Sequence, residues 1–172
     1  KGNNPRNPKD LPRIVDEATT VMTTDRHDPK NTDVYNGAVQ PYPPDPGWYV
    51  GFPSFFRREN LVDGRLEVQF TGSRDGITWH RYDHAAYVPP GLAGSDSSNR
   101  TYLGVGLVVR GDELWQYGVT YRTPHGALET RQTEIEDVAR KPAAGEPWAD
   151  GTVYRYVQRV DGFVSLDFGL GG

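Results

Sequence analysis

Residues 66–79, LEVQFTGSRDGITW, carry the clearest structural signal in the sequence. Apolar and polar residues alternate along Leu66–Ser73, which is the pattern of a strand with one buried face. The dipeptide Asp75-Gly76 follows, and Asp-Gly between two such runs is the strongest short signal of a β-hairpin, because both turn residues accept a positive φ. This stretch therefore predicts a strand, a tight turn and a second strand at Ile77–Tyr82.

A second unit of the chain repeats this organisation. In the first unit the predicted strands are Val34–Tyr42, Trp48–Phe56, Leu66–Ser73 and Ile77–Tyr82. In the second unit they are Thr101–Arg110, Glu113–Tyr121, Thr152–Val160 and Phe163–Phe168. Asp161-Gly162 follows the third strand of the second unit, as Asp75-Gly76 follows that of the first. Four antiparallel strands in succession, twice over, are typical of β-propeller blades.

Two blades are too few for a closed ring. A blade buries its faces only against neighbouring blades, and propellers contain about four to eight of them. The sequence therefore predicts an all-β chain of two four-stranded antiparallel blades that belongs to a larger or assembled propeller. Residues 1–24 are predicted to be an arm and a possible strand of a preceding blade, residues 25–90 the first blade and residues 91–172 the second.

The composition favours strands and excludes several classes of function. Twenty Gly, fourteen Pro, ten Tyr, six Phe and four Trp indicate aromatic strands separated by turns. The chain has no Cys, which rules out disulfides, thiolate metal sites and cysteine nucleophiles. A net charge of −4 gives no electrostatic reason to expect nucleic acid. No apolar stretch approaches the roughly 18 residues of a membrane span, so no membrane partner is expected.

The string Ser73-Arg74-Asp75-Gly76-Ile77-Thr78-Trp79 resembles the Asp-box of sialidases and other propellers. The shorter Ser-x-Asp-Gly-x-x-Trp form is similar to turns in five-bladed glycoside hydrolases. In such a turn the Asp accepts backbone amides, the Gly supplies a positive φ and the Trp is expected to be buried between blades. These are structural roles, so Asp75 is not a catalytic candidate.

A longer resemblance covers about residues 22–168. The strings TDVYN, YVGFPSFF, GVGLVVRGDELWQYG and TPHG are similar to the latter half of bacterial proteins related to the five-bladed furanosidase hydrolases, which include the invertase, levanase and arabinanase families. This resemblance implies a secreted or periplasmic glycoside-hydrolase-like propeller that acts on a carbohydrate through carboxylates around its central funnel. The alternative is a non-catalytic carbohydrate-recognition or structural module that oligomerisation would complete.

Several signature strings of these hydrolases are absent. The sequence has no Trp-Met-Asn-Asp-Pro, Arg-Asp-Pro or Glu-Cys motif. A catalytic pocket would therefore need at least one carboxylate from blades outside this chain or from another copy. Whether the chain is an enzyme stays open on the sequence alone.

Two carboxylates are the catalytic candidates that the resemblance implies. Asp33 opens the inner strand of the first unit, and Asp96 precedes the inner strand of the second. One carboxylate would act as nucleophile or base and another as acid or transition-state stabiliser. The alternative for Asp33 is a cap on the preceding turn, and the alternative for Asp96 is a place in a solvated loop.

Four further residues are predicted to bind substrate. Tyr35 and Asn36 follow Asp33 and could contact sugar hydroxyls, while His125 could reach the funnel or help to hold an ion. Arg57 could bind a sugar carboxylate, or it could simply end a solvated strand. The other histidines lack metal-ligand spacing, so no metal site and no cofactor are predicted, with a structural calcium left open.

Overall fold

The computed structural model describes residues 18–58, 64–126 and 151–163. Within these ranges the chain is all-β, as predicted, with ten strands and no helix. The described residues therefore include no helix that could cross a membrane. The strands are β1 (Thr32–Asn36), β2 (Gln40–Tyr42), β3 (Asp45–Gly51), β4 (Ser54–Arg58), β5 (Gly64–Gln69), β6 (Thr71–Ser73), β7 (Ala86–Val88), β8 (Arg100–Arg110), β9 (Glu113–Tyr121) and β10 (Gly151–Arg159).

These strands form two sheets. The larger sheet has the strand order β1-β4-β5-β8-β9-β10, and its seventh strand, β7, pairs with β5 outside this order. The smaller sheet has the order β2-β3-β6. All pairs are antiparallel except β5 and β8, which run parallel where Leu66 lies opposite Arg100. Among the described residues neither sheet closes on itself. The structure thus establishes the all-β class, and the arrangement as propeller blades stays a prediction.

Three predicted strands of the first unit are divided between the two sheets. Val34–Tyr42 is interrupted at residues 37–39, Trp48–Phe56 at residues 52–53 and Leu66–Ser73 at residue 70. The prediction of single long strands was therefore wrong at these points. Apolar and polar residues alternate without a break through Phe70, so the sequence pattern does not reveal the interruption there.

The bends between the sheets are hydrogen-bonded to one another. The Phe52 amide donates to the Gly37 carbonyl at 3.2 Å, and the Gln69 amide donates to the Pro53 carbonyl at 3.0 Å. Pro53 itself has no amide proton to give to a ladder, which favours a break at that position. Ala38 has a φ of 41°, a left-handed conformation that ends an extended strand.

The fourth predicted strand of the first unit, Ile77–Tyr82, does not form. Only His80 pairs there, in an isolated bridge with Gly72. The carboxylate of Asp75 accepts the amides of Ile77 and Thr78 at 2.8 and 2.7 Å, so those amides are unavailable to a ladder. Local side-chain hydrogen bonding competes successfully with strand formation at this turn.

The second unit agrees better with its predicted strands. Thr101–Arg110, Glu113–Tyr121 and Thr152–Val160 correspond to β8, β9 and β10 within one residue at each end, and they pair antiparallel in that order. Of the predicted strand Phe163–Phe168, only Phe163 is among the described residues, and it lies in a turn. The remaining residues of that strand fall outside the described ranges.

The core lies where the two sheets meet. Its buried apolar members are Tyr42, Val50, Phe52, Val68, Leu103 and Leu114. Aromatic rings extend this core outward, and the rings of Phe70 and Phe163 stack with centres 4.8 Å apart and planes 6° from parallel. Residues of both predicted units therefore contribute to a single apolar core.

Candidate functional site

Four side chains gather on one face of β4, and we call them the Tyr35 cluster: Tyr35, Phe56, Tyr102 and His125. The ring centres of Tyr35 and His125 lie 4.6 Å apart, and those of Phe56 and His125 lie 5.1 Å apart, both edge to face. The Tyr102 ring is 5.9 Å from that of Tyr35. Tyr35 remains 50% exposed. The cluster thus presents one accessible ring on a fixed aromatic support.

A β-bulge places Tyr35 in this cluster. The pairing of β1 with β4 shifts between Val34 and Asn36, so Tyr35 has no residue directly opposite it. The side-chain oxygen of Asn36 accepts the Ser54 amide at 2.9 Å, which holds the bulge in place. Bulges redirect side chains in this way. The side-chain oxygen of Asn36, a residue predicted to bind substrate, therefore forms a hydrogen bond with the backbone that positions Tyr35.

The orientation of His125 is fixed from both its backbone and its ring. Its amide donates to the Gly64 carbonyl at 2.9 Å, and the Tyr102 hydroxyl lies 3.1 Å from its Nδ1 atom. Arg100 lies 3.5 Å from the same nitrogen. These two contacts hold the imidazole ring in its plane. Burial raises the pKa of Tyr102, so its hydroxyl keeps its proton.

Asp33 lies at the exposed margin of the Tyr35 cluster. Its carboxylate pairs with the guanidinium of Arg58, and the two side chains are 48% and 45% exposed. The same guanidinium is 5.7 Å from the centre of the Phe56 ring. Asp33 therefore borders the cluster from β1, an edge strand of the described sheet, in an ion pair that solvent reaches.

Asp96 has different neighbours. Its carboxylate accepts a hydrogen bond of 2.7 Å from the hydroxyl of Tyr154 on β10, and this bond lowers the pKa of Asp96. Since β1 and β10 are at opposite ends of the strand order, Asp33 lies on one edge strand of the larger sheet, whereas Asp96 contacts the other. The structure does not bring them together through any common partner among the described residues.

Arg57 lies on the other face of β4 from the Tyr35 cluster. Successive side chains of a strand point to opposite faces, and Arg57 pairs with Glu67 while Arg58 pairs with Asp33. Glu67 is buried and also accepts the side-chain amide of Gln69 at 3.1 Å. Arg57 is thus placed in an ion pair on the other face from Tyr35 and His125.

The same face holds a buried ion pair that the sequence does not reveal. Arg81 donates two hydrogen bonds to the carboxylate of Asp28, one of them 2.8 Å long, and two more to the side-chain oxygen of Gln69 at 2.8 and 3.1 Å. Its guanidinium also lies 4.1 Å from the centre of the Phe55 ring. Asp28 and Arg81 are 53 residues apart, so no local pattern could have linked them.

Asp25 and His84 lie beside this buried ion pair. The His84 Nε2 atom is 2.9 Å from a carboxylate oxygen of Asp25, and ligand atoms of Asp25, Asp28 and His84 all lie within 4.8 Å of one another. Arg81 is 3.8 Å from Asp25 and hydrogen-bonded to Asp28. Arg81 therefore places one positive charge beside both carboxylates, and the arrangement is a network of ion pairs.

The turn at residues 73–79 is organised around one carboxylate. Hydrogen bonds from the Thr78 and Ile77 amides lower the pKa of Asp75. Gly76 has the positive φ of 71° expected of it, and the indole N–H of Trp79 donates to the Gly76 carbonyl at 3.1 Å. Trp79, however, is only half-buried in this chain, with its ring edge against Gly51.

Comparison of the chain with models of protein families, with curated proteins and with solved structures found no match. The resemblance to five-bladed furanosidase hydrolases therefore stays a prediction. Function has to be inferred from the chemistry of the side chains that the fold brings together.

Proposed function

We propose that the chain is part of a carbohydrate-binding β-propeller and that the Tyr35 cluster holds the sugar. The observation that carries the proposal is the half-exposed ring of Tyr35, supported edge to face by His125 at 4.6 Å. Small-molecule sites combine aromatic surfaces with a few fixed polar groups. A supported, accessible ring offers an apolar surface to the C–H groups of a sugar.

Polar groups around this ring suit sugar hydroxyls. The half-exposed pair of Asp33 and Arg58 supplies an acceptor and several donors at the margin of the ring. Hydrogen bonds to such charged groups are about twice as strong as those between neutral groups. A hydroxyl group both donates and accepts, so one sugar could engage both members of the pair.

The positions of the carboxylates favour sugar recognition over sugar hydrolysis. Glycosidases that use the usual two-carboxylate mechanism hold them about 5 to 9.5 Å apart across the scissile bond. Here Asp33 lies on one edge strand and Asp96 contacts the other, and Glu67 is on the other face of β4 with Arg57. Hydrolysis would therefore require a second carboxylate from outside the described residues.

The propeller part of the proposal is supported by the pairing of the strands. The strands β8, β9 and β10 form an antiparallel meander, and β10 is an edge in the described sheet. Val153 and Val157 of β10 are 72% and 46% exposed. Apolar side chains on an exposed strand are typical of a surface that another element covers. Further blades, supplied by another segment or another copy, would cover it.

The test is a calorimetric titration of the purified chain with neutral fructan and arabinan oligosaccharides. Tyr35→Ala should weaken sugar binding at least tenfold, because the ring surface is lost, while the melting temperature changes little. Tyr117→Ala is the matched control, since Tyr117 is 46% exposed on the same sheet and outside the cluster.

Equal binding by Tyr35→Ala and the wild type, or no binding of any sugar by the wild type, would overturn the proposal. Release of reducing sugar that Asp33→Asn abolishes would instead establish the hydrolase alternative. Both assays use the same preparation, so recognition and hydrolysis are distinguished in one experiment.

A further inference from the structure

A cavity of about 590 Å³ opens on the smaller sheet and not on the sheet that carries the Tyr35 cluster. This volume is within the range of small-molecule sites. We call it the aromatic pocket, because six of its lining residues are aromatic: Tyr42, Trp48, Tyr49, Phe70, Tyr82 and Phe163. The pocket lies between β3, β6 and the turn that follows β10.

Charge in the aromatic pocket is of one sign. Asp45 and Asp161 line it, and among the described residues no Lys, Arg or His does. The faces of aromatic rings also carry partial negative charge. A pocket with aromatic walls and two carboxylates therefore has a negative potential that is complementary to a cation.

The carboxylate of Asp161 is held in place at the pocket wall. It accepts a hydrogen bond from the hydroxyl of Tyr42, and the same hydroxyl oxygen accepts the Asp161 amide at 3.0 Å. Burial, together with the hydrogen bond to Asp161, raises the pKa of Tyr42, so the phenol keeps the proton that it donates in this hydrogen bond.

Trp48 already contacts one cation. It also lines a neighbouring cavity of about 480 Å³, where the guanidinium of Arg74 lies 3.9 Å from the centre of the indole ring. This distance is well inside the roughly 6 Å limit of a cation–π contact, and Trp is the best aromatic partner for one. Trp48, which lines both cavities, is therefore a ring that already takes part in a cation–π contact.

We propose that the aromatic pocket binds a small organic cation, namely an ammonium group with apolar substituents, such as a quaternary or N-methylated amine. The substituents pack against the aromatic walls, and the positive charge is balanced by Asp45 and Asp161. Recognition of quaternary ammonium ions by aromatic rings is a known use of the cation–π contact. This site is independent of the sugar site, and neither proposal requires the other.

The test compares choline with 3,3-dimethyl-1-butanol, its uncharged analogue of nearly the same shape. Binding is followed by tryptophan fluorescence and by chemical-shift changes of the indole N–H groups. Choline should bind at least tenfold more tightly than the analogue. Trp48→Ala should weaken choline binding about tenfold, and Asp45→Asn should weaken it severalfold and reduce its dependence on salt.

Trp115→Ala is the matched control, because Trp115 also lies under a guanidinium, that of Arg155 at 4.2 Å, but on the larger sheet. That variant should bind choline as the wild type does. If Trp48→Ala does not fold, Asp45→Asn decides the question, since Asp45 is exposed and its loss should leave the melting temperature nearly unchanged.

Three results would overturn the proposal. The first is equal binding of choline and its analogue, which would indicate an apolar pocket without charge selectivity. The second is the absence of choline binding by the wild type. The third is binding of a neutral sugar that Trp48→Ala removes and Tyr35→Ala does not, which would make the aromatic pocket a second carbohydrate site.

Discussion

The guanidinium of Arg81 and the carboxylate of Asp28 form a two-pronged ion pair that is almost inaccessible to solvent, with side chains 6% and 2% exposed. Arg81 lies on the ring of Phe55 in β4, and Asp28 lies in the segment that precedes β1. This pair therefore fastens the first described segment to the larger sheet.

Removing one partner of this pair should be costly. Arg81→Ala leaves the carboxylate of Asp28 buried without its cation, and loss of one member of a buried pair costs about 3–5 kcal/mol. Urea denaturation measures the effect. Arg58→Ala is the control, because the pair of Arg58 and Asp33 is half-exposed and such pairs contribute about 0–1 kcal/mol. A similar loss of unfolding free energy in both variants would contradict the burial of the pair of Arg81 and Asp28.

The stability of the chain should fall in acid. The pKa of Asp28 is lowered, because hydrogen bonds from Arg81 and the Asp25 amide outweigh the opposing effect of burial, and amide hydrogen bonds likewise lower the pKa of Asp75. A carboxylate with a lowered pKa stabilises the fold above its unfolded pKa of about 3.9, and this contribution is lost as the pH falls through its folded pKa.

Thermal melts between pH 6 and pH 2 test this expectation. The melting temperature should change little from pH 6 to about pH 5 and then fall, since the native state releases these protons more readily than the unfolded chain. Asp75→Asn should make the fall shallower, whereas Asp112→Asn, at an exposed hairpin turn, should leave it unchanged. A melting temperature that rises on acidification would show that the sign is wrong.

Trp79→Ala should destabilise the chain by about 2 kcal/mol. Deletion of a fully buried large aromatic costs about 3–5 kcal/mol, and the side chain here is half-buried against Gly51. A loss of that full size would indicate that further blades cover Trp79 in solution, as the sequence predicted. Measurement by denaturant unfolding, at several protein concentrations, separates the two results because assembly depends on concentration.

Tyr42→Phe should cost about 1–2 kcal/mol. The hydroxyl makes two hydrogen bonds with Asp161, which is 119 residues away, and each such bond contributes about 1 kcal/mol. Tyr154→Phe is the control, because it removes an exposed hydrogen bond to Asp96. Equal stability of Tyr42→Phe and the wild type would mean that this contact does not hold the turn after β10.

Local patterns were sufficient for part of the fold. Strands β8 and β9 are rich in β-branched and aromatic residues and are joined by Gly111-Asp112, where Gly111 has a φ of 65°. Their hydrogen bonds form between neighbours in sequence, so the sequence pattern contains the information. Ile77–Tyr82 had the same pattern, but the carboxylate of Asp75 takes its first amides, and a count of apolar residues cannot detect that competition.

The sequence allowed single residues of the candidate site to be predicted, but not which residues lie together. Tyr35 and His125 were both proposed to bind substrate, and they lie in contact although they are far apart in the sequence. Tyr102 and Arg100 were missed, because they occur in β8 without any motif. The side chains of Arg57 and Arg58 separate to opposite faces of β4, which becomes apparent only when the partners Glu67 and Asp33 are known.

The bends at residues 37–39, 52–53 and 70 give the two sheets a shared backbone. No connection between the sheets at these points is longer than three residues, and two of them are tied to each other by the hydrogen bond between Phe52 and Gly37. Short, bonded connections leave no hinge about which one sheet could swing. The sheets should therefore lose protection against amide exchange together, as one cooperative unit. An opening that exposed only β2, β3 and β6 would have to distort all three connections at the same time.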